Sequence, residues 1–175
     1  LIISPVFNLR LNRMLKFFSI LSLIFYTLMS YATPITVTLY GTDDKHESKG
    51  TLLLEDSPGG LMITPDLHDL PPGPHGFHVH TNAQCGALGL AAGGHFDPQH
   101  TQKHTGPYEP GHIGDLPVLY VNADKEAKNA IIAPHLKIKD IKGRSIIIHA
   151  EGDNYTDRPP SGGGGPRIAC GVISK

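Results

Sequence analysis

Gly76-Phe77-His78-Val79-His80 alternates apolar and imidazole side chains with a period of two. On a strand, that period turns Phe77 and Val79 to one face and both imidazoles to the other. The apolar face belongs to a core, and the imidazole face is free to bind something. Seven further β-rich runs surround this one. Residues 34–40 alternate around Ile35, Val37 and Leu39. Residues 49–54 end at Asp56-Ser57-Pro58-Gly59-Gly60, and residues 61–64 are stopped by Pro65. Residues 117–122, 130–133, 145–149 and 168–173 complete eight. Short runs with Gly, Pro, Asn and Asp between them indicate an all-β sandwich or barrel. The 15 prolines and 20 glycines suit turns rather than helices. Two stretches break the rhythm, residues 81–116 and residues 150–166, the second ending in the run Gly162–Gly165. Loops of that length inside a compact domain are functional or disordered.

Those loops hold most of the candidate ligands. Six histidines and one aspartate stand out: His78, His80, His95, His104, His112, His149 and Asp115. Neutral imidazole is the commonest protein ligand for copper and zinc. Seven ligands exceed the needs of one four-coordinate ion and point to two. His78 and His80 share a strand face, and His149 ends the run Ile146-Ile147-Ile148, so three imidazoles can project from neighbouring strands. His104, His112 and Asp115 lie in the long loop, and with His95 they make three imidazoles and a carboxylate, a donor set that suits tetrahedral zinc. If His95 also reaches the strand group, its two ring nitrogens bridge both ions. A lone strand histidine is ordinarily just a surface or core residue; the argument rests on the set.

Composition narrows the classes further. Residues 1–32 read as a secretory signal, with Met14-Leu15-Lys16 opening an uncharged apolar stretch and Ser30-Tyr31-Ala32 offering small residues for cleavage after Ala32. Residues 1–13 read as an over-extended start. A transmembrane anchor is the rival, but the apolar run is short for a span of roughly 20 residues. The mature chain, residues 33–175, is one domain with one core. Its formal charge is 15 − 3 = 12 cations against 16 acids, or −4, because the leader holds Arg10, Arg13 and Lys16 and no acid. That is no footprint for nucleic acid, and no membrane contact is expected once the signal is gone. Cys85 and Cys170 are the only cysteines. In an exported protein an even count implies a disulfide; the rival is two thiolates on a metal.

Taken together, Gly76-Phe77-His78-Val79-His80, Ala92-Gly93-Gly94-His95-Phe96-Asp97-Pro98, Gly111-His112-Ile113-Gly114-Asp115-Leu116-Pro117, Ile148-His149-Ala150-Glu151-Gly152-Asp153 and the run from Gly162 through Arg167 and Cys170 to Ile173 resemble the copper–zinc superoxide dismutases of the bacterial, periplasmic type. The resemblance spans residues 34–174. It implies an eight-stranded antiparallel Greek-key β-barrel or sandwich with two long functional loops. It implies one copper on His78, His80, His95 and His149, and one zinc on His95, His104, His112 and Asp115. Asp153 matches a carboxylate that hydrogen-bonds His78 and His104, and Arg167 matches the arginine beside the copper. Arg167 and His95 are then the catalytic residues, superoxide the substrate, and the periplasm the location. The segment between Cys85 and Ala92 has only six residues. It is short for a stretch that contributes to dimer contacts in such enzymes, which leaves monomer and homodimer both open. His46, His68, His75, His100 and His135 fall outside the ligand set and read as surface histidines or as supports behind the ligands. Two rival functions remain: a copper and zinc sequestering or delivery module without turnover, and a zinc hydrolase. The hydrolase is disfavoured because His-Glu-x-x-His is absent.

Overall fold

The computed structural model describes residues 32–175. The segment read as an export signal, and the start at Met14, lie outside these residues except for Ala32. Nine short strands follow in order: β1 (Ile35–Gly41), β2 (Ser48–Ser57), β3 (Gly60–Leu67), β4 (Gly73–His75), β5 (Phe77–His80), β6 (Leu119–Val121), β7 (Ile131–Ala133), β8 (Ser145–His149) and β9 (Arg167–Val172). All eight expected runs form strands. The ninth, β4, precedes Gly76 and pairs with β6 rather than continuing β5 in the main sheet. One four-residue helix, α1 (Ile138–Ile141), was not expected; Asp56 accepts the Ile138 N–H at its first turn (2.8 Å).

Seven strands make one curled antiparallel sheet in the order β5-β8-β9-β1-β2-β3-β7. The chain passes from β3, near one edge, to β5 at the other, and again from β7 to β8. These long edge-to-edge connections are Greek-key in character. The curled sheet is a half-barrel, and the separate β4–β6 pair adds Leu119 and Val121 to the same core. Pro65 does not stop β3. It lies between the last β7 pair, Ile63 with Ile131, and the isolated Leu67–Ala127 bridge, on the side facing away from β2. A missing N–H at that gap removes no ladder bond.

The core forms inside the curl from Val37, Leu39, Leu52, Leu54, Ile63, Phe77, Val79, Ile146 and Ile148, all buried. Each such side chain contributes roughly 1.5–3 kcal/mol when taken from water. In β5 and β8 every residue is buried, on both faces. Phe77, Val79, Ile146 and Ile148 fill the inner side. On the outer side Ile147 packs with Ala92, Cys170 and Cys85, beneath the long connection that follows β5. That covering layer shelters His78 and His80.

Candidate metal centre

The metal centre begins with an unsatisfied sheet edge. β5 pairs with β8 on one side only. Its other side is covered by the 81–116 connection: Gly114 accepts the Val79 N–H, and the Val79 carbonyl accepts the Phe96 N–H, each at 2.8 Å. Covering an open edge prevents stray pairing. Here it also sets two local bridges, His80 with His95 and His78 with Asp115. Residues far apart in sequence are thereby held beside the strand imidazoles.

Two groups of ligand atoms result. His78, His80, His95 and His149 form one, and His78, His95, His104 and Asp115 form the other, each with its ligand atoms within 4.8 Å of one another. His112 stands at the margin of the second group. Its Nδ1 lies 3.6 Å from Asp115 Oδ1, and its ring centroid 5.4 Å from that of His95. His78 takes a place in that compact group because its ring stacks on His95 at 4.0 Å.

Hydrogen bonds set which nitrogen of each ring is free. His78 Nε2 donates to Asp153 (2.6 Å), His80 Nδ1 to the Gly93 carbonyl (2.9 Å) and His149 Nδ1 to the Gly165 carbonyl (3.1 Å). The opposite nitrogens, His78 Nδ1, His80 Nε2 and His149 Nε2, are buried and have no hydrogen-bond partner. At His104 both ring nitrogens face carboxylates: Nε2 donates to Asp153 and Nδ1 lies beside Asp115 Oδ2, each at 2.8 Å. His112 Nδ1 has no hydrogen-bond partner either. An orphaned buried polar atom costs roughly 1–3 kcal/mol, so the four unpartnered nitrogens of His78, His80, His149 and His112 fit a role as cation ligands. An outer hydrogen bond that fixes the tautomer of a ligating imidazole is the usual support for such a site. His95 Nδ1 lies 2.8 Å from Asp115 Oδ1, which leaves its Nε2 for the strand group.

Burial keeps the rings of His78, His80, His95 and His149 ready to ligate. Burial holds His78 down at about 3, with Asp153 opposing, and holds His80 down at about 2. Burial likewise lowers His149 to about 4 and lowers His95. These imidazoles are neutral near pH 7, the form that binds a metal. At His104, burial is outweighed by Asp115 and Asp153, which raise it to about 9. Burial opposes ionisation of Asp115 and Asp153, but their imidazole neighbours prevail and hold both carboxyls below the ordinary range.

Arg167 opens β9 opposite His149. Its Nη1 donates to the Gly89 carbonyl (2.6 Å) and its Nη2 to the Gly93 carbonyl (2.7 Å). Both carbonyls sit in the segment tethered by the Cys85–Cys170 disulfide, so the reading of two metal-binding thiolates is wrong. Arg167 lines a cleft of about 670 Å³ together with His95, His149, Leu90 and Pro166.

Of the other histidines, His46, His68, His100 and His135 are exposed. His75 is buried, with its ring nitrogens 2.7 Å from the His149 and Pro71 carbonyls; it supports the backbone of a ligand. Sequence reasoning missed the carbonyls of Gly89 and Gly93, because a main-chain acceptor has no residue-type signature. It also missed Asp157, whose carboxylate accepts the His104 N–H (2.8 Å).

Fold and site define a β-sheet protein with two adjacent groups of ligand atoms, both containing His78 and His95, each of which could hold a metal ion. Residues 48–173 match the family model for copper/zinc superoxide dismutase (SODC). The Cu-Zn superoxide dismutase of Legionella pneumophila is 50% identical over 150 residues, 86% of this chain and 93% of its own. Among solved structures, the Cu/Zn superoxide dismutase from Brucella abortus is similar with a TM-score of 0.78 at 45% identity, covering 81% of this chain and all of its own. The solution structure of the monomeric copper, zinc superoxide dismutase from Salmonella enterica gives 0.72 at 44% identity, with 81% and 100% covered. The chain belongs to the copper/zinc superoxide dismutase family. It is an oxidoreductase of that family, and its two ligand groups are compatible with one copper and one zinc.

Proposed function

We infer that the mature chain, residues 33–175, disproportionates superoxide at a copper–zinc pair bridged by His95. The observation that carries this reading is the shared ring of His95, with Nδ1 beside Asp115 and Nε2 left for the strand imidazoles. His78, His80, His95 and His149 would hold copper; His95, His104, His112 and Asp115 would hold zinc. His78 has a single free nitrogen, since Nε2 is committed to Asp153, so it can serve one ion only. His112, with its orphaned Nδ1, completes the zinc set.

Copper, when bound, supplies one-electron redox chemistry, and zinc keeps a single oxidation state. Two superoxide anions and two protons give O₂ and H₂O₂. The chain's residues do the rest. Arg167, permanently cationic, is pinned by two carbonyls at the cleft and can hydrogen-bond an incoming anion. His95 Nε2 is the atom placed to take up a proton and return it. Asp153 orients His78 on one side and His104 on the other. The protein works in the periplasm, exported by residues 1–32; the disulfide supports an oxidising compartment. Among the described residues no helix is long and apolar enough to cross a membrane. The chain acts as a monomer or homodimer, which sedimentation of the metal-loaded protein decides.

The test joins metal analysis to a superoxide-removal assay on exported protein. One copper and one zinc per chain with rapid removal is the expected result. Protein that holds both ions and leaves superoxide untouched would instead be a sequestering or delivery module.

A further inference from the structure

His104 is gripped at three points by one short turn of the second long loop. Asp153 Oδ1 accepts from its ring Nε2 (2.8 Å). Four residues on, Asp157 Oδ1 accepts its main-chain N–H (2.8 Å). The third point is a missing side chain. Gly162 has φ +70°, and a Cβ there would collide with the Asp153 carboxylate and lie 2.6 Å from His104 Nε2. The turn is itself tied together: Asp153 accepts the Tyr155 N–H (2.8 Å), Thr156 accepts the Gly162 N–H, and Gly162 accepts the Asn154 N–H (both 3.1 Å). Asp157 and Gly162 touch neither the strand imidazoles nor the cleft that holds Arg167.

We propose that the turn of residues 153–162 is a clamp on His104, with Asp157 and Gly162 as its positioning residues, and that it sets how firmly the loop-side ion is retained. The proposal rests on the zinc assignment above, but not on turnover. A ligand fixed through both its ring and its main chain has one pose. The ion then cannot leave by swinging that ligand aside, and release has to wait for the two loops to part. A carboxylate acceptor makes each of these bonds stronger than a neutral one.

The experiment measures zinc transfer from the metal-loaded protein to a chelator, with hydrogen exchange at the His104 amide. Asp157→Ala is expected to speed zinc loss roughly tenfold, at the low end for losing a support behind a ligand, and to expose the amide to exchange. Asp157→Asn, which keeps an acceptor oxygen, should recover most of the retention. Gly162→Ala should speed loss further and disturb the His104 ring. Asp97→Ala is the control, because the Asp97 carboxylate ties Thr101 and Gln102 within the same loop and makes no hydrogen bond to His104. Equal zinc loss in Asp97→Ala and Asp157→Ala would mean general loop stiffness and would overturn the clamp. So would zinc retention within about twofold of the parent in Asp157→Ala, a change too small for one lost charged hydrogen bond. Should Gly162→Ala fail to fold, the Asp157 pair and the control still decide. Zinc-free protein after loading would refute the zinc reading itself, whereas zinc-loaded, clamped and inactive protein would refute only turnover.

Discussion

His78, His80 and His149 stand on β5 and β8, and their side chains are nearly closed to solvent. His104, His112 and Asp115 stand on a connection with no strand of its own; His104 and Asp115 are as buried as the strand ligands, and only the His112 side chain is partly open, at 18%. The strand ligands are placed by sheet register, so moving one means breaking ladder bonds. The loop ligands are placed by one another, by the bridge of Asp115 to His78, and by the carboxylates of Asp153 and Asp157. The contrast matches the division of labour proposed for the two ions. An ion that changes oxidation state needs donors whose geometry holds through the cycle. An ion that only positions a ring can sit in a site assembled by its loops.

The sharpest way to break the contrast is to remove one ligand from each side. His80→Ala should cut superoxide removal by more than about a hundredfold, beyond the range for losing an outer support, while zinc content stays near one per chain. His112→Ala should weaken zinc by roughly ten- to a hundredfold and leave the copper spectrum largely intact. If both variants lose both ions equally, the two sides are not separate and the division of ligands fails.

A third test acts on the strand side at a distance. Reducing the Cys85–Cys170 disulfide, which closes 85 residues of chain, should cost about 2–5 kcal/mol and lower Tm by roughly 5–15 °C. Activity should fall with it, since Gly89 and Gly93 hold Arg167. An unchanged melting curve would count against this coupling.

Acid separates the two sides in metal-free protein. His78, His80 and His149 have folded values near 3, 2 and 4 against 6.5 in an open chain. The unfolded chain therefore binds more protons as pH falls below 6.5, and stability drops across that range. His104 has the opposite sign: raised to about 9, it contributes stability below pH 6.5 that is lost as pH rises through 9. Thermal melts should show a steep acid loss and a shallower alkaline one. A flat profile from pH 7 down to 4 would mean the strand imidazoles are hydrated. The smallest effect concerns the cleft: raising ionic strength from about 10 to 150 mM shortens the screening length from roughly 30 to 8 Å, and turnover should slow a few-fold if Arg167 attracts superoxide from a distance.

Legibility in the sequence did not follow that divide: residue type pointed to the candidate ligands on both sides, and the misses were a strand boundary, a short strand and a buried support. The alternation of Phe77, His78, Val79 and His80 announces a strand with two faces, and the structure has that strand buried on both. The boundary at Pro65 was misread because a proline stops a strand only where its N–H is needed, and that depends on which neighbour lies alongside. β4 went unseen because Gly73-Pro74-His75 has no periodicity and becomes a strand only by pairing with β6. His75 was left among surface or supporting histidines; nothing local says that its ring lies between two carbonyls.

By itself the sequence determined the all-β class, the candidate donors for two ions and the two cysteines available for bonding, because residue type and short-range period are local properties. Only the tertiary structure decided that the 81–116 connection covers the open edge of β5, which sets His95 and Asp115 against His80 and His78. It also decided that carbonyls of Gly89 and Gly93 hold Arg167, and that Asp157 reaches the main chain of His104. The reason is physical: a hydrogen bond between residues 53 or more positions apart exists only once the core has brought their backbones together, and no spacing along the chain encodes it.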